Sequence, residues 1–379
     1  MKVAYSNTLR SSQAEPGAQD TATCAPLRAA FDRIPLNNRR LCSPWQRRPT
    51  SASSRREAPI VLKKHLKNSL SNCLSCILLL QDLICRVLSK LTTKEVVRTS
   101  VLSSTWNHMW EFCPKLRFDG TKMCGTQQYI QKFAGAVSAA LQHYQGKMVV
   151  GLDIKFEYDN LLVDHVDSWV GFALSSSMKN LALDLVPANL FKADFYGHDG
   201  DRYKFPSRVL ENRSLSHLQQ LQLSFLSFQL PPRFSGFPDL KNLELHLLQV
   251  SRKDLEYMLS SCPSLEWLSM VRCHLNGKLK MAQPLSHLLY LRVECCNITS
   301  LELDAPNLRT FICSDIGLGA IDIGHALEVR EASLFYLSYN VILEDALTLL
   351  PKDFPSVQRL ILHASIPLEV CDFTLYVAI

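Results

Sequence analysis

Along most of the chain, apolar and polar positions alternate in two ways, with periods of about two and about 3.6 residues. Helical spacing comes first: Leu79, Leu80, Leu83, Ile84, Val87, Leu88 and Leu91 wind onto one stripe, with Gln81, Asp82, Arg86 and Lys90 between them. Thr92-Thr93-Lys94-Glu95 then reads as a capping box, in which a hydroxyl accepts a backbone N–H and the carboxylate reaches back to the cap. A second helix is predicted through Val96, Val97, Val101 and Leu102, and a third through Trp106, Met109 and Trp110, ending before Pro114. Ile130, Phe133, Val137 and Leu141 predict another helix over 126–146. Val150, Leu152, Ile154 and Phe156 then alternate as a half-buried strand does. Val163, Val166, Trp169, Val170 and Leu174 return to helical spacing, and Leu181, Leu183 and Leu185 to alternation.

From there a longer beat takes over. L-x-x-L-x-L occurs at Leu218-Leu221-Leu223, Leu240-Leu243-Leu245 and Leu265-Leu268-Met270, then at Leu288-Leu291-Val293 and Leu308-Phe311-Cys313. Cys273 and Cys296 follow the third and fourth copies, and flanking copies stand at Met178-Leu181-Leu183 and Val357-Leu360-Leu362. The first leucines of the five central copies are 22, 25, 23 and 20 residues apart. That spacing is the signature of a leucine-rich repeat, which places one strand per repeat on a curved parallel sheet. A single repeat cannot bury its own apolar face, so stacking creates the core. Each buried leucine contributes about 1.5–3 kcal/mol. Ser251-Arg252-Lys253-Asp254, ahead of Leu255, Met258 and Leu259, opens a helix on the back of one repeat. The predicted fold is α/β: a short three-helix unit, then a leucine-rich-repeat solenoid with helices or loops on its convex side. The strand residues between the leucines face outward on a concave sheet, a surface suited to a protein partner.

Charge narrows the partners. The formal net charge is +6, and residues 1–60, with ten Lys/Arg and four Asp/Glu, hold all of the excess. A nucleic-acid binder carries its basic excess on the folded domain, so no nucleic-acid partner is expected. No run of about 18 apolar residues exists, which argues against a membrane span. The amino terminus lacks a secretory pattern, and thirteen cysteines then read as reduced thiols in the nucleus or cytoplasm.

The three helices ahead of these repeats resemble the plant F-box proteins with leucine-rich repeats, of the FBD-associated type. The similar stretches are Leu83 to Leu91, Val97 to Ser103 with Trp106 and Trp110, Cys113 to Asp119 and Leu259 to Leu265. The resemblance implies a substrate receptor of an SCF-type ubiquitin ligase. Its F-box would dock on a Skp-family adaptor, and through it on a cullin, while the repeats hold an unidentified target protein. It places Leu83, Ile84, Val87, Leu88, Val96, Val97, Val101, Leu102, Trp106 and Trp110 on the docking surface or in its supporting core. The F-box is divergent: Leu80 stands where the family has a proline, Ser104-Thr105 replaces a basic pair, and Cys73 to Ile77 replaces an acidic lead-in. A non-ligase binding scaffold with a degenerate F-box is therefore the alternative.

The expected organisation is a disordered Arg/Ser/Pro-rich tail over 1–70, the F-box over 73–113 and a helical connector over 114–147. Repeats follow over 148–370, and a truncated, uncapped end over 371–379. No catalytic, metal or cofactor site is expected. Cys73-x-x-Cys76 has no second Cys or His pair at zinc spacing. Cys273 and His274 are neighbours at a strand end, where successive side chains point apart. Gly317-x-Gly319 with Gly324 misses the dinucleotide spacing. Asp153, Asp159, Asp164 and Asp167 read as a solvated face.

Overall fold

The computed structural model describes residues 2–5, 114–121, 127–144, 149–187, 202–211, 216–281, 283–314, 316, 320–324, 326–335, 354–368 and 371–378. The chain divides into two compact units, and all of these residues belong to the one formed by 1–7 and 78–379. The ten docking positions from Leu83 to Trp110 lie outside the described residues, as do Cys73, Cys76, Gly317 and Gly319.

The unit is built on one long sheet. Its strands are β1 (Lys2–Tyr5), β2 (Lys115–Asp119), β3 (Gly151–Lys155), β4 (Asn180–Asp184), β6 (Gln220–Ser224), β8 (Asn242–His246), β10 (Trp267–Val271), β12 (Tyr290–Glu294), β14 (Thr310–Ser314), β16 (Glu331–Phe335), β17 (Arg359–Leu368) and β18 (Cys371–Ala378). From β2 to β17 each strand pairs in parallel with the next repeat's strand. Two short parallel sheets lie after the strand corners: β5 (Tyr203–Lys204), β7 (Leu226–Phe228) and β9 (Gln249–Val250), then β11 (Gly277–Lys280), β13 (Ile298–Glu302) and β15 (Ile321–Asp322). The described α-helices are α1 (Gln127–His143), α2 (Val163–Ser175) and α3 (Arg252–Ser260). This is the α/β leucine-rich-repeat solenoid that the motif spacing predicts.

Register explains the core. Leu221, Leu243, Leu268, Leu291 and Phe311 stand opposite one another on successive strands, and Leu223, Leu245, Met270, Val293 and Cys313 form the next row. All ten are buried. A one-residue slip would turn both rows to solvent, so the apolar pattern fixes the pairing. The cysteines after the third and fourth motifs also act as polar groups. Cys273 Sγ donates to the Leu245 carbonyl at 3.4 Å and Cys296 Sγ to the Met270 carbonyl at 3.4 Å. Each thiol thus satisfies a carbonyl of the preceding repeat. His274 is exposed beside buried Cys273, so the two side chains do part.

Caps and corners are equally local. The Ser251 hydroxyl accepts the Asp254 N–H at 3.0 Å and starts α3, which buries Leu255, Met258 and Leu259. Asp159 caps the short turn ahead of α2, accepting the Leu161 N–H at 2.9 Å. After β6, β8, β10 and β12 the chain turns through Phe225, Leu247, Arg272 and Cys295, with φ of 59°, 52°, 54° and 53°. Left-handed backbone is costly for side-chain-bearing residues. Here each corner's N–H is held by the next repeat: Phe225 donates to His246 O, Leu247 to Val271 O, Arg272 to Glu294 O and Cys295 to Ser314 Oγ.

Three features depart from expectation. The segment 114–147 is not wholly a helical connector, because β2 opens it. Leu116 and Phe118 point into the core while Lys115, Arg117 and Asp119 point out, and two apolar residues are too few to announce a strand. The array therefore starts at Lys115. At the other end the expected uncapped terminus is replaced by pairing, with β18 antiparallel to β17 and β1 antiparallel to β18. A four-residue strand thus lies within the stretch whose composition predicts a disordered tail. A further repeat, Val329-Ala332-Leu334 around β16, escapes the motif because alanine takes the leucine position.

Candidate functional site

The outward side chains of the parallel strands form three rows across the concave sheet. The first runs Asn180, Gln220, Asn242, Trp267, Tyr290, Thr310 and Glu331, and the second Ala182, Gln222, Glu244, Ser269, Arg292, Ile312 and Ser333. The third includes Asp184, Ser224, His246, Val271 and Glu294, nearest the corners. A strand's period of two puts them there, in the variable positions of the repeat.

Most charges on this face are matched in the protein. Arg117 binds Asp153 at 2.8 Å, Lys155 binds Asp184 at 2.7 Å and Arg359 binds Glu331 at 2.9 Å. Arg292 donates from Nε and Nη2 to Glu294 Oε2, at 3.0 and 2.6 Å. Lys241 and Glu266, at the entry to β8 and β10, pair at 2.7 Å. The hydrogen bond with Asp184 raises the Lys155 pKa above its ordinary value. Glu244 is exposed, and among the described residues its carboxylate has no hydrogen-bond or ion-pair partner.

Two reliefs break the face. Towards β2, a depression of about 240 Å³ lies over Gly151 and Ala182, walled by Asn180, Gln220, Gln222, Asn242 and Glu244 and, on the β2 side, by Lys115, Arg117 and Asp153. It exists because glycine and alanine leave a dip among longer neighbours. A Cβ at Gly151 would stand 3.2 Å from the Asn180 Cβ. At mid-array, Trp267 and Tyr290 stack face to face, with ring centroids 3.4 Å apart and planes 6° apart. Trp267 is 36% exposed. Aromatic side chains on an open face are typical anchors in protein interfaces.

His246 lies in the third row, half-buried. Burial and the nearby cations Arg272, Arg292 and Lys155 lower its pKa from 6.5 to about 4, against a weaker opposite pull from Asp184. Between pH 6.5 and about 4 the unfolded chain thus binds a proton that the folded chain refuses, so stability falls as pH drops through that window. Denaturation midpoints are expected to be flat above pH 6.5 and to decline below it. His246→Asn should flatten the decline, and an unchanged slope would show that other groups set it.

Of the four aspartates expected on a solvated face, Asp164 is exposed, and the other three hold separate local jobs: Asp153 pairs with Arg117, Asp159 caps a turn, and Asp167 accepts the Tyr203 hydroxyl at 2.6 Å. Sequence reasoning does not single out Trp267, Tyr290 or Glu244. The available signal is an aromatic residue directly before the second leucine of two consecutive copies.

A curved parallel sheet with a patterned, largely charge-matched face defines a protein-interaction module. The leucine-rich-repeat domain model of the At1g61320/AtMIF1 type matches residues 141–372, and the chain belongs to that family. The F-box domain model matches residues 78–118. Similar Arabidopsis thaliana proteins include F-box/FBD/LRR-repeat protein At4g00160, 29% identical over 50% of this chain and 39% of its own length. F-box/LRR-repeat protein At3g03360 is 26% identical over 69% of this chain and 51% of its own, and FBD-associated F-box protein At5g60610 is 26% identical over 74% and 67%. The chain spans about half the length of several curated relatives it matches. No solved structure matches it.

Proposed function

We propose that this chain is the substrate-recognition subunit of an SCF-type ubiquitin ligase in the nucleus or cytoplasm. Its F-box docks on a Skp-family adaptor and through it on a cullin, and the concave sheet holds the protein to be modified. The observation that carries the reading is an F-box match at 78–118 joined in one chain to a repeat domain matched over 141–372. No catalytic residue is required of such a subunit, because bringing target and transferase together supplies effective concentration. The chain needs no cofactor in this role.

A specific observation favours a second reading. Leu80 and Ser104-Thr105 remove a proline and a basic pair from the F-box, which suits a scaffold that no longer engages the adaptor. Co-purification of the full chain with a Skp-family adaptor separates the two. A ligase subunit retains the adaptor, and Val87→Asp or Leu88→Asp lowers that retention about tenfold or more, since each buries a charge at an apolar contact. Failure of the intact protein to retain any adaptor would favour the scaffold.

A further inference from the structure

We infer that the concave face takes an extended segment of the target protein and seats one arginine of that segment between the Trp267–Tyr290 stack and Glu244. The inference deepens the receptor reading and rests on it for the target being a protein.

The case begins with the charge pattern of the face. Asp153, Asp184, Glu294 and Glu331 each lie within ion-pair distance of a cation. Glu244 breaks that pattern: it is exposed and, among the described residues, has no such partner. Its register neighbours on the two flanking strands are Gln222 and Ser269, both uncharged. Arg292, two rungs away, has its fork turned onto Glu294. One carboxylate of the face is thus left open to a cation from outside.

The stack supplies the other half of the site. Trp267 stands beside Asn242 on β8, two residues from Glu244, and Tyr290 is its partner on β12. The charge of Glu244 also reaches Tyr290: burial above all raises the phenol pKa above its ordinary value, against Arg292, with Glu294 and then Glu244 adding smaller upward pulls. An aromatic face beside a carboxylate fits a planar cation. Guanidinium stacks on the ring through its weakly hydrated face and donates two parallel N–H bonds to the carboxylate. An ammonium is more strongly hydrated and cannot make that fork. An acidic partner would meet Glu244 at close range.

The depression next to Glu244 specifies the rest of the ligand. On the side of Glu244 its walls include the amides of Asn180, Gln220, Gln222 and Asn242, and Lys115, Arg117 and Asp153 line the side towards β2; each amide offers both a donor and an acceptor. Such a lining is matched to main-chain N–H and C=O groups, and the small floor at Gly151 and Ala182 lets a backbone approach closely. An extended segment crossing these strands would reach the stack with its next side chains.

The test uses the full chain, immobilised, and a displayed library of random peptides. Arginine should be enriched at one position of the retained peptides. A retained sequence is then made with arginine and with citrulline, its neutral isostere. The arginine form should bind about tenfold more tightly to the native protein, as expected for a charged hydrogen-bonded pair. Glu244→Gln should bring that ratio close to one, and Trp267→Ala should weaken the arginine form. Circular dichroism melts of both exposed-site variants check that they remain folded. Absence of arginine enrichment, an arginine preference that survives Glu244→Gln, or retention of no peptide would each overturn the inference. Adaptor co-purification reads the receptor function separately. Adaptor bound without arginine preference defeats only the inference, and arginine preference without adaptor defeats only the ligase reading.

Discussion

Trp169→Ala is expected to destabilise the protein by about 3–5 kcal/mol, the range for removing a fully buried large aromatic side chain. Trp169 is wholly buried in α2 and meets the Phe156 ring edge-on, centroids 5.3 Å apart. Its Nε1–H donates to Ser138 Oγ on α1 at 3.0 Å, and the same oxygen lies 2.8 Å from His165 Nδ1. The indole therefore joins α1, α2 and the residue that follows β3, and no small residue can fill its volume. Trp169→Phe restores much of the packing and removes the donor, so its cost should be nearer about 1–2 kcal/mol. Urea denaturation of the three proteins measures both differences. Equal losses for Ala and Phe would mean that the hydrogen bond, rather than the packing, holds these elements together.

Gly236→Ala is expected to cost about 2–4 kcal/mol, combining a left-handed backbone with overpacking. Gly236 has φ of 81°, and a Cβ there would stand 2.5 Å from the Ser261 carbonyl oxygen and 2.9 Å from the Ser261 Cβ. The neighbouring Phe237 N–H donates to that same carbonyl at 3.1 Å, just beyond the end of α3. The methyl group would separate the loop before β8 from the helix of the following repeat. In a stacked array such damage stays near its origin. Hydrogen exchange should therefore quicken in β8 and β10 well before β14 and β16. Uniform loss of protection along the sheet would contradict that localisation.

Whatever has a period is legible in the sequence. Leu218, Leu240, Leu265, Leu288 and Leu308 keep their spacing, and each is buried. The serine ahead of α3 is legible because a cap has a fixed offset from the acid it serves. Weakly patterned elements escape: β2 holds two apolar residues, and β16 offers Ala332 where the motif wants leucine. Phe373, Leu375 and Val377 do alternate with Thr374 and Tyr376. That run lies beyond the last repeat motif, so its pairing as β18 has no period to announce it. Trp267, Tyr290 and Glu244 are hidden for another reason. They come from three repeats, and only the parallel register brings them side by side. Of the F-box, residue pattern and family resemblance are what speak, since its docking positions lie outside the described residues.

The corners at Phe225, Leu247, Arg272 and Cys295 give the array a direction. Each bend is braced from the carboxyl-terminal side, by an acceptor that belongs to the following turn of the coil. A cut in the chain is then not symmetrical in its effects. Losing a downstream turn strips the bend before it of its anchor, whereas losing an upstream turn leaves the later bends secured. Unravelling should travel more readily backwards from a downstream nick than forwards from an upstream one.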